Sequence, residues 1–339
     1  MNFKLHTSFP VALENEWNGL LAESITHVPF LRFEYLYNWW QTRGGGEWPT
    51  DARLVIITAH DDDRLVGIAP LFHSLHEGKS ALLFLGSIEI SDYLDFIVRP
   101  GDLITFIDGL LAFLTTHPDI PQWDILDLYN LLDSSPSLDQ LQQSVTANGW
   151  SVTSAVTNHA PVINLPGDWE AYLASLDKKQ RHELRRKIRR LEEAEVPSRW
   201  YFVEDENSLD EEIDLFLALM SQDPEKEAFL TEEMVTAISG TIKTAFARGY
   251  LQLSFLEIDG QKAAAYLNFD YENHLWIYNS GLNRDYYSYS PGWVLLGYLL
   301  RWANENGRSN FDFMRGDEDY KYRFGAKDRF VHRVIISRQ

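Results

Sequence analysis

Apolar and polar residues follow two periods along this chain, and their order repeats. Residues 2–9 alternate as a strand, and helical periodicity covers 11–24 and 30–43, the second helix being stopped by Gly44-Gly45-Gly46. Four short runs rich in β-branched and aromatic side chains follow at 53–59, 64–75, 80–85 and 94–98, separated by polar turns, and predict four strands. A helix over 103–116 and a strand over 123–129 come next. The later part repeats that order: strands at 251–258, 262–269 and 274–279 around an Asp259-Gly260 turn, a helix at 292–306, then strands at 310–314 and 330–337. Between the two series, residues 168–249 read as helical apart from a strand near 199–203. The pattern predicts an α/β (α+β) protein of two domains, 1–165 and 166–339, each a mixed sheet flanked by helices and related by duplication of pattern rather than of residues.

Composition narrows this. A chain of 339 residues with 45% apolar side chains can fill two cores. No apolar run reaches the roughly 18 residues that cross a bilayer. Residues 1–10 lack the basic stretch and apolar core of a secretory signal, so the expectation is a cytoplasmic protein without a membrane span. There is no cysteine, which removes disulfides, thiol catalysis and thiolate metal sites. His73 and His76 have no third ligand at metal-binding spacing, so no metal is expected. A net charge of −20 repels nucleic-acid phosphate, which argues against DNA, and favours a cationic partner such as an amine or a Lys-rich peptide.

The most informative stretch is 276–307. A strand ends near Tyr278 and Asn279, and a polar, aromatic loop leads to Ser290-Pro291-Gly292-Trp293. Ser290 stands where an N-cap belongs, Pro291 at the first helical position, and the helix closes on Asn306-Gly307. Its first turn contains no Asp or Glu, so its amides and positive dipole end are open to an anion, and Gly292 would let a phosphate group approach the backbone.

These residues carry a resemblance. Leu176-Asp177-Lys178-Lys179-Gln180-Arg181-His182-Glu183-Leu184-Arg185-Arg186-Lys187, Tyr278-Asn279-Ser280-Gly281, Ser290-Pro291-Gly292 and the stretch from Phe311 to Lys321 are together similar to the BioF2-like, CelD-type acetyltransferase domain of the GNAT superfamily, which is related to the FemAB aminoacyl transferases. Leu65-Val66-Gly67-Ile68-Ala69-Pro70-Leu71 and Ser91-Asp92-Tyr93-Leu94-Asp95 resemble that family's first half. The resemblance implies two tandem GNAT-like domains, the second an acyltransferase with acyl-CoA as cosubstrate and no tightly bound cofactor. Where GNAT enzymes carry Arg/Gln-x-x-Gly-x-Gly/Ala, residues 286–293 offer Gly292 alone.

Two charged segments complete the set. Lys178, Arg181, Arg185 and Arg189 share a helical face, with Arg186 beside it; Arg185 and Arg186 are candidate phosphate contacts, or else part of a solvated helix paired with nearby glutamates. After the strand at 310–314, Asp317 and Glu318 are candidate general bases, Tyr320 a candidate acid for a departing thiolate, and Lys321 a candidate for stabilising an oxyanion. The expected reaction is direct transfer of an acyl group from acyl-CoA or an acyl carrier protein to a primary amine. The alternatives are a FemAB-like transferase using aminoacyl-tRNA and a non-catalytic binding module. Acceptor, chain length and oligomeric state stay open.

Overall fold

The computed structural model describes residues 1–338 and divides into two compact units. The first runs from Met1 to Asn158 and takes in the last strand of the chain; the second is His159–Arg329.

In the first unit, β1 (Asn2–His6), β2 (Arg53–Asp61), β3 (Arg64–His76) and β4 (Lys79–Phe84) form an antiparallel meander, and the short β5 (Ile97–Val98) pairs with β3. Next to β4 lies β6 (Ile125–Leu132), and this contact is parallel. Parallel neighbours need a crossover, which the chain between them supplies with the helix Leu103–Thr116. β6 is buried along its whole length, which is why it reads as the unbroken run Ile-Leu-Asp-Leu-Tyr-Asn-Leu-Leu. The helix Pro136–Ala147, capped by Ser135, and the exposed strand β7 (Ser151–His159) were not legible in the sequence. The predicted strand at 94–98 shrinks to β5, because Asp95 turns inward and is wholly buried. Its carboxylate accepts bonds from Thr26 (2.6 Å), Ser135 (2.5 Å), Ser137 (2.6 Å) and the Phe96 amide (2.8 Å).

The second unit holds a six-stranded sheet in the order β8 (Val162–Asn164), β13 (Asn310–Asp312), β12 (His274–Leu282), β11 (Gln261–Tyr271), β10 (Leu251–Ile258), β9 (Ser198–Phe202). Among its described pairs only β12 and β13 run parallel, joined through the helix Pro291–Glu305. That helix buries Val294, Leu295, Leu299 and Leu300 against the sheet. The helix Lys178–Glu192 packs beside it through Leu184 and Leu191. Gly297 makes the contact close: a Cβ there would lie 3.0 Å from the side chains of Leu184 and Ile188.

The last strand, β14 (Phe330–Ser337), belongs to the first sheet, where it lies between β6 and β7. The expected division at 165/166 assigned it to the second half. Its Val331, Val334 and Ile336 are buried against the first core, with a register shift between His332 and Val334, and Arg333 forms a two-bond pair with the buried Asp127 of β6 (2.9 and 2.7 Å). Among the described residues no helix is long and apolar enough to cross a membrane.

Candidate active site

The ladder between β12 and β13 is short. It pairs His274 with Asn310, Leu275 with Phe311 and Trp276 with Asp312, and stops. Beyond it β12 runs on to Leu282 with β11 as its strand partner, while β13 ends at Asp312. Two local features part the strands. The Asp312 carboxylate accepts a bond from the Met314 amide (2.8 Å), and Met314 adopts φ +55°, turning the chain away. On β12 the register slips between Leu267 and Asn268, so Tyr278 is an extra residue, bulged and half-buried against Phe269. Pairing between the two strands ends there, a slot-like break in the ladder, and the helix Pro291–Glu305 starts beside the end of β12, where Gly292 faces Leu282.

That helix start differs from the sequence expectation. Ser290 precedes the helix, but in the left-handed region (φ +55°, ψ +51°), and no side chain caps the first turn. Its hydroxyl is instead bonded by Lys187 (2.7 Å), whose ammonium also lies 5.1 Å from the centre of the Trp293 ring. The first turn holds no acidic residue. Lys187, which also lies 3.6 Å from the Glu183 carboxylate that Arg186 shares, therefore adds a cation to the positive end of a helix whose leading amides are uncapped, the combination that attracts an anion. Sequence reasoning passed over Lys187 because it sits on the inner edge of the basic helix, between the core residues Leu184 and Leu191. The burial itself is the signal: its side chain is only 17% exposed.

Arg185 and Arg186 have another use. Arg185 is exposed and bonded to Glu170, and Arg186 makes two bonds to Glu183 (3.0 and 2.8 Å), so both guanidiniums are neutralised on the outer face of the helix. Gly292 is needed for packing: a Cβ there would lie 2.8 Å from Cδ2 of Leu282. Pro291 is buried at the first helical position, and Trp293 stacks on Phe324 (4.6 Å between centres).

The C-terminal cluster falls on the other wall. Lys321 is 3% exposed, and its three donors go to the carbonyls of Arg315 (2.8 Å) and Gly316 (3.1 Å) and to Glu318 (2.9 Å). An ammonium has only three hydrogens to give, so Lys321 staples the 315–318 turn and has none left for an oxyanion. Asp317 and Glu318 are exposed. Tyr320 packs its ring on Phe313 (5.9 Å); burial and then Glu318 push its phenol well above the ordinary tyrosine range. Behind it the buried Tyr266 hydroxyl donates to the Gly292 carbonyl (3.4 Å).

A second lysine also went unread. Lys226, on the short helix Pro224–Phe229, donates to Oδ1 of Asn279 (2.9 Å) and to the Ser280 carbonyl (2.5 Å), at the end of β12. Burial lowers its pKa, against the opposing pull of Asp223 and Glu318. Together with Gln222, Ser280 and Tyr287 it lines a pocket of about 60 Å³. Among the described residues there is no group of three or more His, Asp or Glu side chains able to hold a metal.

The first unit has a counterpart of the slot, where β4 and β6 run parallel, and its own chain fills it. The Leu94 amide bonds to the Asn130 carbonyl (2.8 Å), and the Asn130 side chain holds the carbonyls of Ile88 (3.0 Å) and Ser91 (2.7 Å). Ser91 and Tyr93 are completely buried there.

Residues 178–322 match the family model described as the acetyltransferase (GNAT) domain, and the matched span lies wholly within the second unit. Residues 178–322 thus carry a GNAT-type acetyltransferase domain, and the protein is a transferase. Three solved structures share the fold of nearly the whole chain. FemX covers 98% of this chain and 97% of its own, with a TM-score of 0.66 and 11% identity. A conserved protein of unknown function from Bacteroides thetaiotaomicron VPI-5482 covers 99% and 100%, with a TM-score of 0.63 and 12% identity. L-PGS from Bacillus licheniformis covers 90% and 91%, with a TM-score of 0.53 and 12% identity. No curated protein matches the chain.

Proposed function

We propose that the protein is an N-acyltransferase that moves an acyl group from a thioester, acyl-CoA or acyl carrier protein, directly to a primary amine. One observation supports this above the others: the helix Pro291–Glu305 opens uncapped at the mouth of the parted strands, with Lys187 beside it. The amides of Gly292 and Trp293 and the Lys187 ammonium would hold the donor's phosphates, and the arm carrying the thioester would run down the slot past Asn279 and Tyr278.

In the reaction the amine nitrogen attacks the thioester carbonyl and a C–N bond forms. The tetrahedral intermediate collapses with cleavage of the C–S bond. Tyr320, protonated at physiological pH as a phenol is and held further in that form by burial, would give its proton to the leaving thiolate. Asp317 or Glu318 would take the proton lost by the amine. Holding both reactants in line accounts for rate without a covalent enzyme intermediate.

The experiment is a transfer assay with acetyl-CoA and longer acyl-CoAs against a panel of primary amines, comparing wild type with Tyr320→Phe, Asp317→Asn and Glu318→Gln. Turnover that falls at least tenfold in Tyr320→Phe and in one carboxamide variant supports the assignment. Equal rates in all of them would remove these residues from the chemistry. A second reading, aminoacyl-tRNA as donor, has the FemX-like fold in its favour. Transfer from charged tRNA with none from acyl-CoA would establish it in place of the first.

A further inference from the structure

The first unit contains a cleft of about 680 Å³ that the proposed transfer chemistry does not use. Its size is that of a small-molecule site. Phe9, Trp40, Ala52 and Leu54 form the buried lining, and Tyr37 and Val11 stand exposed at the rim.

The backbone beside it is unusual. Four residues in succession, Arg43, Gly44, Gly45 and Gly46, have positive φ (51°, 68°, 77° and 87°), a full left-handed turn after the helix Phe33–Gln41. Glycine takes that conformation freely; arginine does not. The chain therefore uses three glycines and a strained arginine here, where a conventional stop needs a single glycine. Gly44 also admits Trp39, whose indole nitrogen would lie 3.0 Å from a Cβ at that position.

The turn fixes Arg43 in the cleft. Its guanidinium lies over the Trp40 ring, 3.6 Å from the centre, and bonds the Trp40 carbonyl through Nη1. Its Nε–H is buried with no hydrogen-bond partner. A buried donor left unpaired loses its hydration without return, unless something outside the chain accepts from it. Arg53, at the start of β2, lines the same cleft. Among the described residues of the lining Asp119 is the one acidic side chain, so the site carries net positive charge in a chain of net charge −20.

We propose that this cleft binds a small organic anion, with its charged group on Arg43 and Arg53 and its apolar body on Phe9 and Tyr37. A phosphate and a carboxylate both fit the chemistry of a guanidinium pair. The proposal does not depend on the transferase reading, because the site and its test lie within the first unit.

The test is isothermal titration of the full-length protein with phenyl phosphate and phenylacetate, and with phenol as the uncharged control. Saturable binding of one of the two anions, at least tenfold tighter than phenol, is expected. The better of the two identifies the charged group. Arg43→Asn keeps a residue that tolerates positive φ, and should weaken that binding about tenfold or more, the scale of a charge-assisted hydrogen bond. Arg53→Gln leaves the strained turn untouched and should weaken it as well, so the proposal stays testable if Arg43→Asn fails to fold. Binding no tighter than that of phenol, or anion affinity unchanged in Arg53→Gln and in a folded Arg43→Asn, would overturn it.

Discussion

Replacing Lys187 with methionine should separate donor binding from folding. The substitution keeps most of the stem and removes the charge, together with the ammonium's contact with the Trp293 ring. Its former partner Glu183 retains Arg186, so no buried carboxylate is stranded. The magnitude follows from the geometry. The ammonium lies 2.7 Å from the Ser290 hydroxyl. A phosphate on the amides of the first turn would then sit about 5 Å from it. Two unit charges at about 5 Å in a medium of effective dielectric about 20 attract by about 3 kcal/mol, and the phosphate's exposure to water brings that to about 1.5–2. Lys187→Met should therefore weaken acyl-CoA binding by about 10- to 30-fold, since about 1.4 kcal/mol is tenfold. Lys187→Glu, which turns attraction into repulsion, should roughly double the free-energy loss.

Titration calorimetry with acetyl-CoA at low and high salt is the assay. Wild-type affinity should fall as salt rises, and the methionine variant should show a flatter dependence, having lost one screened contact. An unfolding curve for each variant checks that the helix packing survives. Equal affinity of wild type and Lys187→Met at low salt, with folding intact, would show that no anion binds at this helix start and would remove the main support for the donor site.

Other consequences are more local. Lys321→Met leaves the carbonyls of Arg315 and Gly316 without the lysine donor in a half-exposed turn, and should cost about 1–2 kcal/mol in denaturant unfolding as well as activity; normal stability with lost activity would return Lys321 to a direct chemical role. Acetyl-CoA should bind with a stoichiometry of one per chain, because the first unit's slot is filled by residues 88–94; two equivalent sites would contradict that. His274 has its pKa lowered, chiefly by burial, and its Nε2 lies 2.7 Å from the Asn310 amide nitrogen, across the first pair of the β12–β13 ladder. A histidine neutral when folded takes up a proton more readily when unfolded, so its contribution is present above the unfolded value of 6.5 and is lost as pH falls below it. Protection of the β13 amides, measured against the intrinsic exchange rate at each pH, should fall between pH 7 and about 5, and less so in His274→Gln.

The repeat of pattern was legible because each unit has continuous apolar strands beside a long helix with a buried face. Val294, Leu295 and Leu299 mark that face in the second unit and Ile107 and Leu110 in the first, and such periods survive any divergence of residues. The last strand was placed in the wrong sheet for a physical reason. A strand pattern specifies which face is buried, and Val331, Val334 and Ile336 suit either core; the choice of sheet rests on Arg333 meeting Asp127, far apart in sequence. The helix start was read correctly in position, with Pro291 at the first helical residue, and incorrectly in its capping, because whether a serine hydroxyl turns back to the backbone depends on a lysine supplied by another helix. The charged segments were the least legible. Glu183 is an i,i+3 neighbour of Arg186 on the same helix, but the partners of Arg185 and Lys321, namely Glu170 and the carbonyls at 315 and 316, are set by the fold.

The two units show how one architecture can keep a slot in one place and fill it in another. Each has a parallel contact bridged by a crossover helix, and in each the parallel strands are held together over three residue pairs. In the first unit the chain leaving β4 folds back: Asn130, in the left-handed region at φ +65°, turns its amide to two carbonyls of that segment, and Tyr35 bonds a third at Ile90. Those bonds satisfy backbone groups that a parted pair of strands would leave bare. In the second unit the chain leaving β12 turns outward through Asn283 and the 284–289 turn to start the helix Pro291–Glu305, and the polar groups near the slot are met in part by the Lys226 side chain. A side chain can swing aside for a ligand, whereas a buried loop cannot leave without unfolding its surroundings. On the proposed function, this difference between loop and lysine is what would let the second unit, and not the first, take up and release a donor.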